Sequence, residues 1–331
     1  MKYDLTNIYD TDLPKSLNNF LTYLGTIKGK SPNTLAGYRY DLIMFFRFLK
    51  LYKKMVSKKI EFEEIIISDI NDDFIKDISL ADLYAFISFS KINRENGAFA
   101  RARKVASLKS FFNFLQGKEK VILNNVTLDL ESPKISKRNP VYLTLEESKD
   151  LLKCINGKNK DRDYCIITLF LNCGLRLSEL CGINISKIRD DTLTVIGKGN
   201  KERTVYLNNA CLDAINSYLP VRSLNKDKII DKDALFISRS HTRLNKRTVE
   251  IMVKKFITLA GLDYNKFSPH KLRHTAATLM YKYGNVDIRS LQKILGHTSV
   301  ATTQIYTHVD NEKLREAINS NPLSDEKSTK E

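Results

Sequence analysis

The segment 268–308 carries the side chains best suited to chemistry. It holds four of the five histidines of the chain, with an arginine at Arg273 and a tyrosine at Tyr306. His270 and Arg273 are three residues apart at the predicted start of a helix, which puts both on one face. His297 follows a glycine, and Tyr306 lies in a further short helical run. Because these groups could converge on one anion, we predict a phosphate site with Tyr306 as the nucleophile.

The chemistry of phosphodiester cleavage explains why these residue types matter. Guanidinium groups hold the oxygens of the transition state in a fixed geometry, which lysine does less well. A phenol has an unperturbed pKa near ~10 and needs a nearby base at neutral pH. We expect His270 to accept that proton and His297 to donate a hydrogen bond to a non-bridging oxygen. A single tyrosine in such a run is more often a core residue, so the prediction depends on its cationic neighbours.

The composition is strongly basic. Lys and Arg together number 54 and Asp and Glu 38, which gives a formal net charge of +16 and a pI of about 9.4. Such an excess attracts polyanions, of which DNA and RNA are the commonest. The same excess fits a lysine-rich cytosolic protein, so charge alone does not decide the function.

Several protein classes are disfavoured by the sequence. The five cysteines form no CxxC pair, which argues against a disulfide framework and a zinc site and favours a reducing cytoplasm. The N-terminus lacks the apolar core of a signal peptide, and the longest apolar run, 165–171, is too short to span a bilayer. No carboxylate cluster lies near the candidate residues and no GxxxxGK[ST] motif is present, so we expect no metal and no other cofactor.

The first part of the chain is predicted to be helical. Apolar residues recur at helical spacing within residues 13–50, which predicts two helices separated by a turn. Ser31 or Asn33 can cap the second of them, and a proline suits its first turn. Residues 77–95 and 95–116 predict two further helices. The charged stretch 52–75 stays open between an insertion, a loop and a strand.

Two of these helices carry candidate DNA contacts opposite an apolar stripe. Thr34 and Tyr38 lie on one of them, and Arg101, Arg103 and Lys104 lie on the other. A row of arginines and lysines on a helix is typical of a protein that binds a DNA groove or backbone. A solvated polar face is the alternative for both helices.

A basic segment between two prolines, 131–140, marks the clearest boundary. We place a helical domain at 1–133, a linker at 134–141, a second domain at 142–320 and a polar tail at 321–331. In the second domain we expect helices from Thr144, over 161–173, from Asn209 and over 246–259. Two Thr- and Val-rich stretches, 191–199 and 202–207, predict a hairpin with a basic turn that contains glycine. The second domain is therefore expected to be α+β with a small antiparallel sheet.

Four motifs follow one another along the second domain: CGLRLSEL at 173–180, GKGNKER at 197–203, HKLRH at 270–274, and the stretch from LGH to YTH at 295–308. In this order and spacing they resemble the tyrosine recombinase (lambda-integrase-like) family, most closely the Xer recombinases. Residues 31–49 resemble that family's core-binding domain more weakly. The resemblance implies a mainly α protein with a SAM-like core-binding domain and an α+β catalytic domain. The stretch 53–73 is longer than is usual for an Xer protein.

The resemblance implies six catalytic residues: Arg176, Lys198, His270, Arg273, His297 and Tyr306. The two arginines would clamp the phosphate, the hairpin lysine would protonate the leaving 5′ oxygen, and the tyrosine would form a 3′-phosphotyrosine. Glu179 matches an acidic position that supports the first arginine. His274 and His308 are predicted to be structural or to lie near the phosphate, without a catalytic role.

The implied reaction is strand exchange without a cofactor, because a free 5′ hydroxyl of another strand can reverse the attack. The implied partners are double-stranded DNA with a specific site, and further protomers that form a homo- or hetero-tetramer on two sites. A second Xer recombinase and a DNA translocase are further candidate partners. Additional DNA contacts are predicted at Lys201, Arg203, Arg243 and Arg247, with a solvated loop as the alternative at the last two.

We expect the chain to resolve chromosome dimers and so to serve chromosome partition at cell division. An integrase or transposase of a mobile element uses the same chemistry, but the short stretch before the first helix leaves no room for a further DNA-binding domain. A type IB topoisomerase shares the phosphotyrosine step and reseals the same strand. The intact set of six residues argues against a DNA-binding protein without catalysis.

Overall fold

The structure, a computed structural model, describes residues 10–135, 140–197, 199, 201–224 and 226–309, with side chains described up to residue 306. The chain divides into two compact units, Met1–Lys137 and Arg138–Glu331. The division falls within the predicted linker, while the exact domain bounds stay predictions. Among the described helices, none is long and apolar enough to cross a membrane.

The first unit is helical over its described residues, as predicted. Its α-helices are α1 (Lys15–Thr22), α2 (Pro32–Tyr52), α3 (Asp72–Lys76), α4 (Leu80–Ile92) and α5 (Ala98–Phe114). Turns of π-helix extend α1 over Tyr23–Ile27 and α5 over Leu115–Glu119. Ser31 caps α2 through its hydroxyl, which accepts a hydrogen bond from the Thr34 N–H at 3.4 Å. The centre of the unit is aromatic: Phe20, Phe45, Phe46, Phe86, Phe111 and Phe112 are all buried.

The stretch left open by the sequence is a packed loop. Residues 53–71 contain one 3₁₀ turn, Phe62–Glu64, and no strand. Three isoleucines anchor the loop, because Ile65, Ile67 and Ile70 are buried. The Lys50 ammonium on α2 lies 2.7 Å from a carboxylate oxygen of Asp69. The loop therefore covers α2.

A buried ion cluster joins α2 to α5. Asp41 is 1% exposed, and its carboxylate contacts Arg103 at 2.5 Å, Lys104 at 3.2 Å and the Ser107 hydroxyl at 2.8 Å. The Lys104 side chain is only 2% exposed. Its charge is therefore satisfied by Asp41 inside the unit, which argues against the predicted contact of Lys104 with DNA. DNA contacts of Arg101 and Arg103 stay predictions.

Replacing Asp41 should destabilise the first unit. Asp41→Asn keeps the shape but leaves the buried ammonium of Lys104 without a counter-charge, which typically costs about 3–5 kcal/mol. Hydrogen exchange of the α2 and α5 amides as a function of urea concentration would measure the free energy of opening of this unit alone.

The control is Asp73→Asn, because Asp73 forms an exposed pair with Lys76 at 2.9 Å. Loss of such a solvent-exposed pair has little effect on stability, because water and salt screen the two charges. Equal effects of the two substitutions would contradict a structural role for the buried cluster.

The second unit is built around a central helix and contains a small sheet, which confirms the predicted α+β architecture. Its helices are α6 (Leu145–Lys153), α7 (Lys160–Cys173), α8 (Leu177–Cys181), α9 (Asn209–Ser223), α10 (Lys246–Leu259), α11 (Pro269–Tyr283) and α12 (Ile288–Leu295). Short 3₁₀ turns span Ile185–Lys187, Lys226–Lys228, Val300–Thr302 and Gln304–Val309. Thr144 caps α6 in a reciprocal arrangement with Glu147, as the sequence indicated. The apolar helix α7 packs between α9 and α11.

The sheet has three antiparallel strands in the order β1 (Ile188–Arg189), β2 (Thr192–Ile196) and β3 (Glu202–Tyr206). The sequence predicted the β2–β3 hairpin but not β1, which is only two residues long. Val195 pairs with Arg203, and Val205 two residues later is buried. Since alternate residues of a strand share a face, Arg203 lies on the inner face of β3.

Candidate active site

A buried carboxylate, Glu179 on α8, organises the site. Its side chain is 0% exposed and contacts three guanidinium groups. Oε1 lies 2.7 Å from Arg176 Nη1, and Oε2 lies 2.9 Å from Arg203 Nη2 and 3.8 Å from Arg273 Nη1. Oε2 also accepts a hydrogen bond from the Arg176 backbone N–H at 2.8 Å, which fixes the turn into α8. One negative charge faces three positive ones, so the cluster stays positive.

Backbone carbonyls complete the arginine cluster. Arg176 Nη2 donates to the Gly296 carbonyl at 2.9 Å. Arg273 donates to the carbonyls of Gly174 at 2.7 Å and Leu295 at 2.6 Å. Gly174 ends α7 and Gly296 ends α12, both with positive φ, where a side chain would be strained. These helix ends place the carbonyls that hold the guanidiniums.

Two of the guanidiniums and one histidine line an open cavity of about 320 Å³. Arg176, His270 and Arg273 all contribute to its wall. The side chain of Arg176 is 31% exposed, whereas that of Arg273 is 3% exposed. Burial, with the nearby charge of Arg176, lowers the pKa of Arg273 to about 10, so it remains charged at neutral pH. The cavity therefore offers fixed positive charge to an anion.

The described imidazoles of the site are neutral at neutral pH. Partial burial and the charges of Arg273, Lys271 and Arg176 lower the pKa of His270. Burial also lowers the pKa of His297 to about 4, with Arg273 and Arg176 adding to the effect. His297 Nδ1 lies 2.9 Å from the Thr303 hydroxyl. A neutral imidazole has one donor and one acceptor nitrogen, so both rings can hold or accept a proton.

Tyr306 is 1% exposed and packs with Ala277, Leu291 and Leu295. Its phenol oxygen lies 2.7 Å from His274 Nδ1. Burial raises the pKa of Tyr306 to about 12, although the charge of Arg273 opposes the shift. The predicted nucleophile thus lies in the same unit as the arginine cluster, but its oxygen is covered in this conformation.

His274 is the functional candidate that sequence reasoning missed. The sequence predicts that His274 is structural or lies near the phosphate, and that His270 acts as the base. In the structure His274 contacts the phenol, while the centre of the His270 ring lies 4.6 Å from that of His274. Burial and His270 lower the pKa of His274 to about 4. Its position one helical turn after His270 is the only signal the sequence offered, and that spacing does not show where Tyr306 folds back.

The remaining predicted residues divide between internal and exposed positions. Arg203 joins the Glu179 cluster and donates to the Ile294 carbonyl at 2.5 Å, so it is part of the site framework. Arg243 donates to Asp231 at 2.8 Å and to backbone carbonyls, which ties a loop together. Thr34, Tyr38, Lys201 and Arg247 retain exposed surface, and their DNA contacts stay predictions. Lys198 and His308 lie outside the residues whose side chains the structure describes.

The comparison with known proteins agrees with this arrangement. Residues 141–313 match the sequence model of the phage integrase family. Tyrosine recombinase XerC of Caldanaerobacter subterraneus subsp. tengcongensis is 60% identical over 313 residues, covering 95% of this chain and 88% of that protein. Tyrosine recombinase XerD of Proteus mirabilis is 32% identical over 303 residues, covering 90% of each. The chain belongs to the phage integrase family of tyrosine recombinases.

Solved structures share the fold of this recombinase. XerH site-specific recombinase bound to palindromic difH substrate in a post-cleavage complex has a TM-score of 0.69 at 23% identity, covering 92% of this chain and 84% of that one. The Tn1549 transposon integrase in complex with transposon right end DNA has a TM-score of 0.68 at 18% identity, covering 92% and 98%. Family membership makes the chain a site-specific recombinase, an enzyme that exchanges DNA strands.

Replacing Glu179 should destabilise the recombinase and change its response to acid. Burial alone would raise the pKa of Glu179, but hydrogen bonds and charge from Arg203 and Arg176 outweigh burial and hold it below its usual range. Its contribution to stability is therefore present above the unfolded pKa near ~4.3 and is lost as pH falls through the lower folded pKa. Glu179→Gln should cost about 3–5 kcal/mol at pH 7, because it leaves three guanidiniums uncompensated.

The measurement is the free energy of urea unfolding between pH 7 and pH 3. The difference in the free energy of unfolding between wild type and Glu179→Gln should become smaller below about pH 4. Glu146→Gln is the control, because Glu146 forms an exposed pair with Lys149. A difference in the free energy of unfolding that does not change with pH would contradict a charged role for Glu179.

Proposed function

We propose that Tyr306 attacks a DNA phosphate held by Arg176 and Arg273. The phenol oxygen forms a bond to phosphorus, the bond from phosphorus to the 5′ oxygen breaks, and the strand is left with a 3′-phosphotyrosine and a free 5′ hydroxyl. The phenolic proton passes to a base, and the leaving oxygen takes up a proton. The reverse attack by the 5′ hydroxyl of a second strand completes strand exchange, since the phosphotyrosine keeps the energy of the broken bond.

The observation that carries this proposal is the convergence of Arg176, Arg273 and His270 on one cavity with Glu179 behind them. Fixed cationic donors of this kind stabilise the charge that develops on a phosphate in the transition state. Lys198 is proposed as the donor to the leaving oxygen on the basis of its motif. His297 is proposed as a hydrogen-bond donor to a non-bridging oxygen.

We propose that the observed pairing of Tyr306 with His274 is a resting arrangement. A phenol with a pKa of about 12 does not pass its proton to an imidazole with a pKa of about 4. In addition, a phenol that is 1% exposed cannot reach a DNA phosphate. Attack therefore requires the segment that carries Tyr306 to bring the phenol to the arginines, whose charge lowers its pKa. There His270 is the proposed base.

We propose an Xer-type role for the recombinase, the resolution of chromosome dimers by four protomers on two DNA sites in the cytoplasm. The 60% identity to a tyrosine recombinase XerC across 95% of the chain supports this role. A second Xer recombinase and a DNA translocase are proposed as partners. The runner-up is an integrase of a mobile element, which uses the same chemistry; the Tn1549 transposon integrase shares the fold. Recombination between two direct copies of a chromosomal site on one plasmid would support the Xer role, whereas insertion into unrelated DNA would support the runner-up.

Tyr306→Phe should abolish covalent attachment to DNA. The substrate is a nicked duplex carrying the site recovered by trapping covalent adducts on genomic fragments, and the adduct is detected on a denaturing gel. Arg176→Lys and Arg273→Lys should each slow adduct formation by roughly 100- to 1000-fold, because each removes a bidentate donor.

Tyr283→Phe is the matched control, since Tyr283 is 60% exposed at the end of α11. Its adduct should form at the wild-type rate. An adduct that persists in Tyr306→Phe would contradict the choice of nucleophile, and site-independent relaxation of supercoiled plasmid would indicate a topoisomerase.

His270 and His274 should respond in opposite directions. His274→Phe removes the hydrogen bond that holds the resting phenol, worth about 0.5–1.5 kcal/mol, and should speed single-turnover cleavage by about two- to tenfold. His270→Phe removes the proposed base and should slow cleavage by roughly 100-fold or more. Single-turnover cleavage rates on the nicked duplex measure both effects. Equal decreases of the cleavage rate in the two variants would show that His274 takes part in proton transfer and is not only a resting partner of the phenol.

A further inference from the structure

The cavity that holds the proposed phosphate clamp has a second group of lining residues. Beside Arg176, His270 and Arg273, the wall includes Lys254 on α10 and Tyr264 in the connection to α11. Neither residue belongs to the motifs that indicated the recombinase. The wall of the clamp therefore carries a positive charge and an aromatic ring that the proposed reaction does not use.

Tyr264 holds the Lys254 ammonium at the cavity. Lys254 Nζ lies 3.9 Å from the centre of the Tyr264 ring, well within the range of a cation–π contact. Tyr264 is 42% exposed. A lysine side chain otherwise has many rotamers, so contact with the ring reduces the freedom of the ammonium and keeps it beside the cavity.

The Lys254 ammonium has no carboxylate partner within the described part of the chain. The nearest acids in sequence contact other cations: Glu250, which also lines the cavity, lies 3.9 Å from Arg247, and Asp263 lies 3.8 Å from Lys266. A ring face accepts no conventional hydrogen bond, and an ammonium has three N–H donors. These donors are therefore available to an anion that enters the cavity.

The position of Lys254 relative to the clamp is fixed by packing. Helix α10 packs against α8, which carries Glu179, and against α11, which carries His270 and Arg273. The face of α10 that points away from Lys254 is buried through Val249, Val253 and Phe256. The separation of the ammonium from the guanidiniums is thus set by helix packing, and a flexible loop does not determine it.

The size of the cavity exceeds the needs of one phosphate group. A volume of about 320 Å³ is at the lower end of pockets that enclose whole small molecules. A DNA strand carries one phosphate per nucleotide, so a strand whose scissile phosphate lies on Arg176 and Arg273 brings a second phosphate one nucleotide away. Lys254 offers the positive charge that such a neighbour requires.

We propose that Lys254, held by Tyr264, binds the phosphate adjacent to the scissile phosphate on the cleaved strand. This inference rests on the proposed function of the clamp. The contact positions the strand so that the scissile phosphate is presented to Tyr306. Lys254 is thus a substrate-binding residue, and Tyr264 is a positioning residue that acts through it.

The test combines a protein substitution with a neutral phosphate in the DNA. Wild type and Lys254→Gln are compared on three nicked duplexes with the trapped site: one unmodified, and two with a methylphosphonate on one or the other side of the scissile phosphate. Lys255→Gln is the matched control, because Lys255 is exposed on the same helix but does not line the cavity. Binding affinity is measured against salt concentration, and covalent adduct formation is measured in a single turnover.

On the unmodified duplex, Lys254→Gln should bind more weakly, and the slope of log affinity against log salt should fall by roughly 0.9, the value for one phosphate contact. On one of the two methylphosphonate duplexes, wild type and Lys254→Gln should have the same affinity and the same salt slope, because the phosphate that Lys254 contacts is neutral there. Tyr264→Phe should behave as wild type and Tyr264→Ala should show part of the loss, because only the ring is needed.

Three results would overturn the inference: wild-type affinity and salt slope in Lys254→Gln, a loss that is the same on all three duplexes, or an equal loss in Lys255→Gln. Failure of the proposed function gives a different result. In that case wild type itself forms no adduct that depends on Tyr306, whichever lysine is present.

Discussion

The second unit depends on one buried ion cluster, the carboxylate of Glu179 among three guanidiniums. Taking a carboxylate out of water is costly, and only close, well-oriented partners offset the cost. Glu179 has such partners, because Arg176, Arg203 and Arg273 reach it from a loop, a strand and a helix. The cluster thereby fixes three separate parts of the chain. It also leaves uncompensated positive charge beside an open cavity, which is the physical basis of an anion site.

The same cluster connects the proposed phosphate clamp to the segment that carries Tyr306, the proposed nucleophile. Arg176 donates to the carbonyl of Gly296, and that carbonyl precedes His297 and the segment that leads to Tyr306. A phosphate that binds Arg176 competes with this carbonyl for the guanidinium N–H groups. In the proposed reaction, binding of DNA by Arg176 would therefore weaken the hydrogen bond that holds the carbonyl at the end of α12. The hydrogen bond between Arg176 and Gly296 thus links the cationic cavity to the segment that carries the buried phenol.

The sequence predicted those features that depend on local pattern. Helix periodicity and capping indicated α2 and α6, alternation indicated the β2–β3 hairpin, and motif order indicated the arginines and Glu179. The features it missed depend on partners far away in the chain. Lys104 is internal only because Asp41 on another helix neutralises it, and the contact of His274 with Tyr306 requires the chain to fold back after α12. Strand β1 is too short to produce a periodic signal.

The central claim is that the phenol of Tyr306 becomes joined to the broken strand. The most direct test is to isolate the covalent adduct, digest it with trypsin and a nuclease, and locate the remaining nucleotide by mass spectrometry. Three neighbouring tyrosines fall in separate tryptic peptides: Tyr281 in 274–282, Tyr283 in 283–289 and Tyr306 in 294–313. We predict a nucleotide joined through its 3′ phosphate to Tyr306 in peptide 294–313. A phosphate-linked nucleotide on any other peptide, with peptide 294–313 unmodified, would contradict the assignment of Tyr306 as the nucleophile.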